Sequence, residues 1–221
     1  QSTGLGFRAL RLNTTGNRNT AVGYDALYTN TTGHYNTAVG NYALRLNTAD
    51  YNCAVGDYAL AANTTGTQNV AIGGGGPLSA NTTGNYNTAV GAAALDANTT
   101  GIENTAIGYH ALSAAQTNAN TAVGYEAGKS ATAGYNVFVG AEAGENNTTA
   151  TRCVFVGSHS GHGHTTGNDC TYIGYNAGDA STTQNSDVMV GTWAGHEATA
   201  GDQNFVGQAA GRYNTTGVAN T

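Results

Sequence analysis

The sequence predicts an all-β chain folded as a parallel β-solenoid of about 12 to 13 rungs, one for each repeat. Three observations predict it: a glycine that recurs every 16 to 18 residues, the phrase Asn-Thr-Ala-Val-Gly that ends on it, and an intervening Asn-Thr-Thr-Gly turn. Each rung is expected to hold two short strands. The recurring glycines are Gly6, Gly23, Gly40, Gly56, Gly73, Gly91, Gly108, Gly124, Gly140, Gly157, Gly174, Gly191 and Gly207.

The first predicted strand is the phrase itself, as in Asn19 to Val22. In an extended segment, its second and fourth residues face one side while its first and third face the other. The fourth residue is always aliphatic, so we expect it to line the interior. This predicted core ladder is Val22, Val39, Val55, Ile72, Val90, Ile107, Val123, Val139, Val156, Ile173, Val190 and Val206.

The second predicted strand follows the glycine and is typified by Tyr24 to Leu27. Its third residue is small in most repeats, as expected where two backbone layers approach closely. The Asn-Thr-Thr-Gly turn then closes the rung, because Asn and Thr side chains bond to nearby backbone and Gly accepts positive φ.

The packing is predicted to change near residues 113–136 within a single domain that spans 1–221. The last residue of the second segment is leucine up to Leu112 and glycine from Gly128 onward. Over the same stretch, the third residue of the first strand changes from Ala122 to Phe138. Because that third position is expected to face outward, the later aromatic residues would form an exposed stripe. Such stripes mark interfaces, so we expect chains to pack side by side as a homotrimer or to stack end to end.

The composition excludes several classes of function. Only 7 Lys and Arg residues and a net charge of −6 argue against nucleic-acid binding. The short apolar runs argue against membrane insertion. Gly157 to Gly161 resembles a nucleophile elbow, but His159 stands where the nucleophile belongs. We therefore expect no catalytic residues, no enzyme activity and no cofactor apart from a metal.

Two sets of side chains are candidates for metal or redox chemistry. His162 and His164 form a His-x-His pair that, in a trimer, would bring six imidazoles to one axial transition metal; the simpler interpretation is a solvent-facing turn. Cys153 and Cys170 fall at the same position of adjacent rungs, within range of a disulfide, whereas reduced thiols are the alternative. Cys53 is expected to be a free thiol facing the interior.

The turn motif also creates Asn-x-Thr sequons, which are glycan acceptors in a suitable host. The alternative, which we favour, is that turn chemistry generates the pattern. The acceptors are Asn13, Asn30, Asn63, Asn81, Asn98, Asn146, Asn147 and Asn214.

Asn-Thr-Ala-Val-Gly-Tyr-x-Ala-Leu with Asn-Thr-Thr-Gly turns resembles the repeats that precede endosialidase-type chaperone domains in phage tail fibres and bacterial surface proteins. It is also similar to the head repeats of YadA-like trimeric autotransporter adhesins. The resemblance implies a trimer of parallel β-rolls that acts in attachment, on a virion or at the cell surface.

The expected function is therefore a structural segment of an extracellular fibre that presents an attachment tip. One alternative is an adhesin whose own side face binds cell-surface glycans. Another is an ice-binding solenoid, because threonine recurs at Thr20, Thr37, Thr88, Thr105 and Thr121. Those threonines are expected to share the inward face of the valines, which disfavours ice contact.

Overall fold

A computed structural model describes residues 1–217, and they form a parallel β-solenoid of about 12 rungs without helices. Each rung contributes one strand of three residues. The strands are β1 (Thr3–Leu5), β2 (Thr20–Val22), β3 (Thr37–Val39), β4 (Cys53–Val55), β5 (Val70–Ile72), β6 (Thr88–Val90), β7 (Thr105–Ile107), β8 (Thr121–Val123), β9 (Val137–Val139), β10 (Val154–Val156), β11 (Thr171–Ile173), β12 (Val188–Val190) and β13 (Asn204–Val206). Residues 1–217 thus include no helix with the length and apolarity needed to cross a membrane.

The chain divides into two compact units of similar construction. The first, Gln1–His110, contains β1 to β7, and the second begins at Ala111 and contains β8 to β13. Within each unit, consecutive strands pair in parallel and in register, so that Ala21 lies opposite Ala38 and Phe155 opposite Tyr172. The predicted stacking of equivalent residues is confirmed.

The assignment of inward and outward faces from the sequence is wrong. The third residue of each strand phrase points inward and is buried, from Ala21 through Phe138 to Phe205. The predicted core ladder lies on the outer face, where Ile72 is 40% exposed and Val206 is 74% exposed. All residues of the predicted core ladder are half-buried or exposed: Val22, Val39, Val55, Ile72, Val90, Ile107, Val123, Val139, Val156, Ile173, Val190 and Val206.

Buried asparagines explain why the faces are reversed. The first residue of the phrase shares the inward face, and Asn69 is fully buried there. Its Nδ2 donates to the carbonyl of Gly84 at 2.8 Å, and its Oδ1 accepts the backbone N–H of Asn87 at 3.0 Å. Buried backbone groups need partners, and these amides supply them rung after rung. The polar column therefore belongs inside.

The predicted second strand is also wrong. After Gly23 the chain passes through left-handed residues at Asp25 (φ 53°) and Leu27 (φ 50°), so it curls instead of extending. Backbone hydrogen bonds to the neighbouring rungs persist here. The N–H of Asp25 donates to the carbonyl of Phe7 at 3.0 Å, and the N–H of Leu27 donates to the carbonyl of Ala43 at 3.0 Å. The curl directs the small Ala26 and the larger Leu27 into the interior, where both are fully buried.

The recurring glycine is required by a close approach between rungs. Gly40 has φ 138°, and a Cβ atom added to it would lie 2.3 Å from the carbonyl oxygen of Gly56. Residues with a side chain rarely adopt this backbone conformation, and no real Cβ atom approaches an oxygen so closely. One glycine in each rung therefore keeps the backbone ladder in register.

The exchange of leucine for glycine compensates for the arrival of aromatic side chains. In the first unit, the leucine faces the small strand residue, since a Cβ atom added to Gly4 would lie 3.5 Å from Cδ1 of Leu10. The equivalent Ala38 and Leu44 are both fully buried. In the second unit, a Cβ atom added to Gly144 would lie 2.4 Å from the ring of Phe138. The narrow interior is therefore filled by leucine in the first unit and by the aromatic strand residue in the second.

The aromatic side chains therefore give no support for an interface between chains. Phe138, Phe155, Tyr172 and Met189 are each fully buried, and Phe205 is 8% exposed. The predicted stripe of outward aromatics is wrong, because these side chains form the core of the second unit. The homotrimer stays a prediction, now without that argument.

Candidate functional site

The outer face of the strands is a repetitive surface of threonine and aliphatic side chains. The second and fourth residues of each phrase point outward together, as Thr20 and Val22 do, and neither is buried. Equivalent residues on neighbouring rungs are in register, so Thr20 lies opposite Thr37 and Val22 opposite Val39. The sequence argument against ice contact fails, because the threonines do not face the core.

Tyrosines border this face in the first unit. Tyr24 follows the glycine and is 42% exposed, and its ring centroid lies 5.4 Å from that of Tyr42. Tyr42 lies 4.9 Å from Tyr58, which continues the row. Such rings present flat apolar surfaces with a polar hydroxyl group, the kind of surface on which sugars stack.

The predicted His-x-His pair does not converge on one point. His164 is fully buried, and its Nε2 lies 2.7 Å from the carbonyl oxygen of Gly167. The His162 side chain is 34% exposed, and its Nε2 lies 3.3 Å from a carboxylate oxygen of Glu145. Although only Gly163 separates them, one imidazole therefore lies in the interior and the other at the surface. Within one chain, the two residues do not form the expected site.

His162 instead joins a cluster of histidines and carboxylates on the surface. Its Nδ1 lies 3.3 Å from Asp179, and Asp179 lies 3.3 Å from Nε2 of His196. Glu142, Glu145 and His162 bring one potential metal ligand each within 4.8 Å of one another. These side chains are partly exposed, and exposed acidic groups often gather without binding an ion.

A serine, a histidine and a carboxylate also meet at this surface. Ser158 Oγ lies 3.0 Å from Nδ1 of His159, and His159 Nε2 lies 3.0 Å from Glu142. The connectivity is that of a catalytic triad, and sequence analysis missed it because Glu142 comes from the preceding rung. The His159 and Glu142 side chains are 37% and 30% exposed, so water weakens the electrostatic interactions on which such a triad depends.

A second group of potential ligands is entirely buried. One ligand atom each from Cys153, His164 and Cys170 lies within 4.8 Å of the other two. Of the two alternatives that the sequence left open, the structure has the reduced form, with Cys153 and Cys170 as free thiols. The Cys153 Sγ contacts the carbonyl oxygen of Gly167 at 3.3 Å, and the Cys170 Sγ contacts that of Gln184 at 3.2 Å. Each thiol thus points toward a backbone acceptor of the next rung.

The pKa values of Cys153, His164 and Cys170 are shifted in different directions. Contact with the Cys153 thiol lowers the pKa of Cys170 to about 4, with His164 adding to the effect and burial opposing it. The contact with Cys170 raises the pKa of Cys153 well above its usual value. Burial lowers the pKa of His164, but the contacts with Cys170 and the Gly167 carbonyl outweigh it, so that pKa is raised. One thiolate is therefore favoured beside the imidazole.

The third cysteine lies elsewhere and was assigned to the wrong face. Cys53 occupies a threonine position of the outer face and is half-buried, not enclosed in the interior. It is a free thiol, as predicted, and burial raises its pKa.

Most of the predicted glycan acceptors are inaccessible. The amide nitrogen of Asn63 donates to the carbonyl of Gly66 at 2.8 Å, so the turn consumes the group that a glycan would modify. Asn13 and Asn214 are half-buried and make the same type of bond, and Asn146 is exposed. The acceptors that are fully buried, and therefore wrong as predictions of glycosylation, are Asn30, Asn63, Asn81, Asn98 and Asn147.

Comparisons with protein-family models and with curated protein sequences return no match for this chain. Its function must therefore be argued from its own surfaces and side chains.

Proposed function

We propose that this chain is a structural segment of an extracellular fibre, on a virion or a bacterial surface, which holds an attachment tip away from its base. The observation that carries the proposal is the interchangeability of the rungs. Within each unit, a strand pairs in register with the next, and in most rungs the recurring glycine makes the same close contact with the following one. The asparagine bonds repeat through the first unit and between Asn120 and Asn136, before other residue types take that position. A spacer needs only such repetition, because its length is set by the number of rungs.

Deleting one complete rung tests this interchangeability. Removal of residues 36–51 joins Tyr35 to Asn52, which restores the Tyr-Asn pair normally formed by Tyr51 and Asn52. We expect the shortened protein to fold, with circular dichroism and cooperative unfolding close to those of the full chain. Removal of only residues 36–43 is the control, and it should strongly destabilise the first unit, because it deletes β3 and leaves a connection between β2 and β4 that is half a rung too long for the two strands to pair.

A failure of the whole-rung deletion to fold would contradict interchangeable rungs.

The adhesin alternative has a separate test, since the row of Tyr24, Tyr42 and Tyr58 offers a surface for sugars. On a glycan array, a pure spacer gives no saturable binding. Saturable binding that is lost on Tyr58→Ala would transfer the attachment function to this segment itself.

Self-association is part of the proposal and needs its own measurement. The partly apolar outer face, with Ile72 and Ile107 each 40% exposed, is the surface that remains available for side-by-side packing. Light scattering coupled to size exclusion should give three times the mass of one chain. A single-chain mass over a wide concentration range would exclude the homotrimer.

A second candidate function is ice contact, favoured by the outward threonines. Threonine hydroxyl and methyl groups at Thr20 and Thr37 repeat at the strand spacing of about 4.8 Å, a regular array that can order water. If this function is correct, the protein shows thermal hysteresis, and Thr37→Lys abolishes most of it. Thr15→Lys, in an exposed turn, should leave it unchanged. Absence of thermal hysteresis in the intact protein would exclude this candidate.

A further inference from the structure

We propose that Cys153, His164 and Cys170 form a buried binding site for a thiophilic transition-metal ion, of which Zn²⁺ is the natural probe. The three side chains are fully buried, and their potential ligand atoms lie within 4.8 Å of one another. Two thiolates and an imidazole are a ligand set typical of zinc proteins.

The three residues replace asparagines of the repeat at a single place. In other rungs, Asn69 and Asn87 occupy the position of Cys153 and Cys170 and donate to the carbonyls of Gly84 and Gly101. The thiols contact the equivalent carbonyls, although a thiol is a weaker donor than an amide. Packing and backbone pairing therefore do not require cysteine there.

His164 is a replacement of the same kind. It occupies the first position of the turn, where Asn63 donates to the carbonyl of Gly66 at 2.8 Å. His164 keeps this contact through Nε2, at 2.7 Å from the oxygen of Gly167. Two inward columns thus exchange asparagine for metal-ligating residue types on adjoining rungs.

The second nitrogen of His164 is the independent observation that points to a ligand. Nδ1 is buried and has no hydrogen-bond partner. Because a carbonyl oxygen only accepts, Nε2 must carry a proton, so in the neutral imidazole that binds a metal the lone pair is on Nδ1. Metal-binding histidines commonly donate their other N–H to a backbone carbonyl in this way, which fixes the tautomer and the ring. A bound cation would satisfy the unpartnered nitrogen.

The charge balance suits a divalent ion. The ligands enter as two thiolates and one neutral imidazole, so protons still held by these groups leave to solvent when the ion binds. The resulting centre carries no net charge, which favours its burial. Three protein ligands leave one tetrahedral position for water or an added ligand.

A disulfide between the same cysteines explains less. It would use both thiols, but it would leave Nδ1 of His164 unpartnered and the choice of histidine unexplained. It would also remove the metal site, so the two possibilities exclude each other.

The experiment uses the full chain, reduced and stripped of metal by a chelator. We expect calorimetric titration to find one Zn²⁺ per chain, and Co²⁺ to give the near-ultraviolet charge-transfer band of thiolate ligation. His164→Asn and Cys170→Asn restore the residue of other rungs, so both variants should fold. Each should bind Zn²⁺ at least tenfold more weakly and lose or shift the cobalt band.

Two matched controls complete the test. His162→Asn, beside the exposed carboxylates, and Cys53→Thr, on the outer face, should bind Zn²⁺ like the unmodified protein. The proposal is overturned if the reduced protein binds no stoichiometric metal, or if His164→Asn binds it with unchanged affinity and spectrum. It is also overturned if the protein as isolated has a mass two hydrogens lower than its reduced form, with Cys153 and Cys170 joined, because the pair would then be a cross-link.

Discussion

Phe155→Ala is expected to destabilise the second unit by about 3–5 kcal/mol, the usual range for deleting a buried ring. Phe155 is fully buried between Phe138 and Tyr172, at ring-centroid distances of 5.7 and 4.8 Å. Gly161, which faces the ring, has no side chain to fill the cavity that the substitution would leave. Urea unfolding followed by the fluorescence of Trp193, which lies in the same unit, measures the loss.

The next residue provides the control for this substitution. Val156 lies on the outer face and is half-buried, so Val156→Ala should cost less than about 1 kcal/mol. The two variants remove side chains from adjacent positions of one strand, β10. If both variants lost the same free energy of unfolding, or Val156→Ala lost more, the result would contradict the burial of Phe155 in the core.

Gly140→Ala is expected to destabilise the same unit by at least about 2 kcal/mol, through backbone strain together with overpacking. Gly140 has φ 135°, and its added Cβ atom would lie 2.5 Å from the carbonyl carbon and oxygen of Gly157. Because the obstacle is backbone, relief requires a shift of the ladder between two rungs. Trp193 fluorescence again reports the unfolding.

Gly201→Ala is the matched control for the glycine substitution. A Cβ atom at Gly201 meets nothing within 4 Å, so this exchange should leave stability within about 0.5 kcal/mol. If Gly140→Ala were as mild as Gly201→Ala, the glycine column would not be what keeps the rungs in register.

Much of the architecture could be predicted because repetition is written directly in the sequence. Gly40, the Asn36 phrase and the Asn30 turn each recur in register, and stacked rungs bring such equivalent residues together. The exchange between Leu112 and Gly128 was also visible, as was its coincidence with Phe138. These features depend on spacing along the chain, which folding cannot alter.

The identity of the inner face could not be predicted from spacing. Alternation fixes which residues of Asn36 to Val39 share a face, but not which face is inward. Hydrophobicity favoured Val39, yet the interior takes Asn36, which is fully buried and whose amide nitrogen donates to the backbone carbonyl of Ala49 at 2.7 Å. It takes the small Ala38 in a rung whose larger Leu44 is also fully buried. Hydrogen-bond demand and volume together outweighed apolarity.

The candidate metal site shows the same division. The sequence contained Cys153 and Cys170 at equivalent positions of neighbouring rungs, and it contained His164 nearby, but it suggested a disulfide and a His162–His164 pair. Only the inward direction of two separate columns brings His164 to the thiols and turns His162 to the surface.

The sequence by itself determined that this protein is a stack of similar rungs and where each rung begins, because a fixed period leaves few other ways to pair the backbone. The tertiary structure alone decided which residues are core, which form the outer surface and which side chains meet in the interior. The physical reason is that a rung of 16 to 18 residues encloses little space, so buried carbonyls and close backbone contacts select its interior residues more strongly than hydrophobicity does.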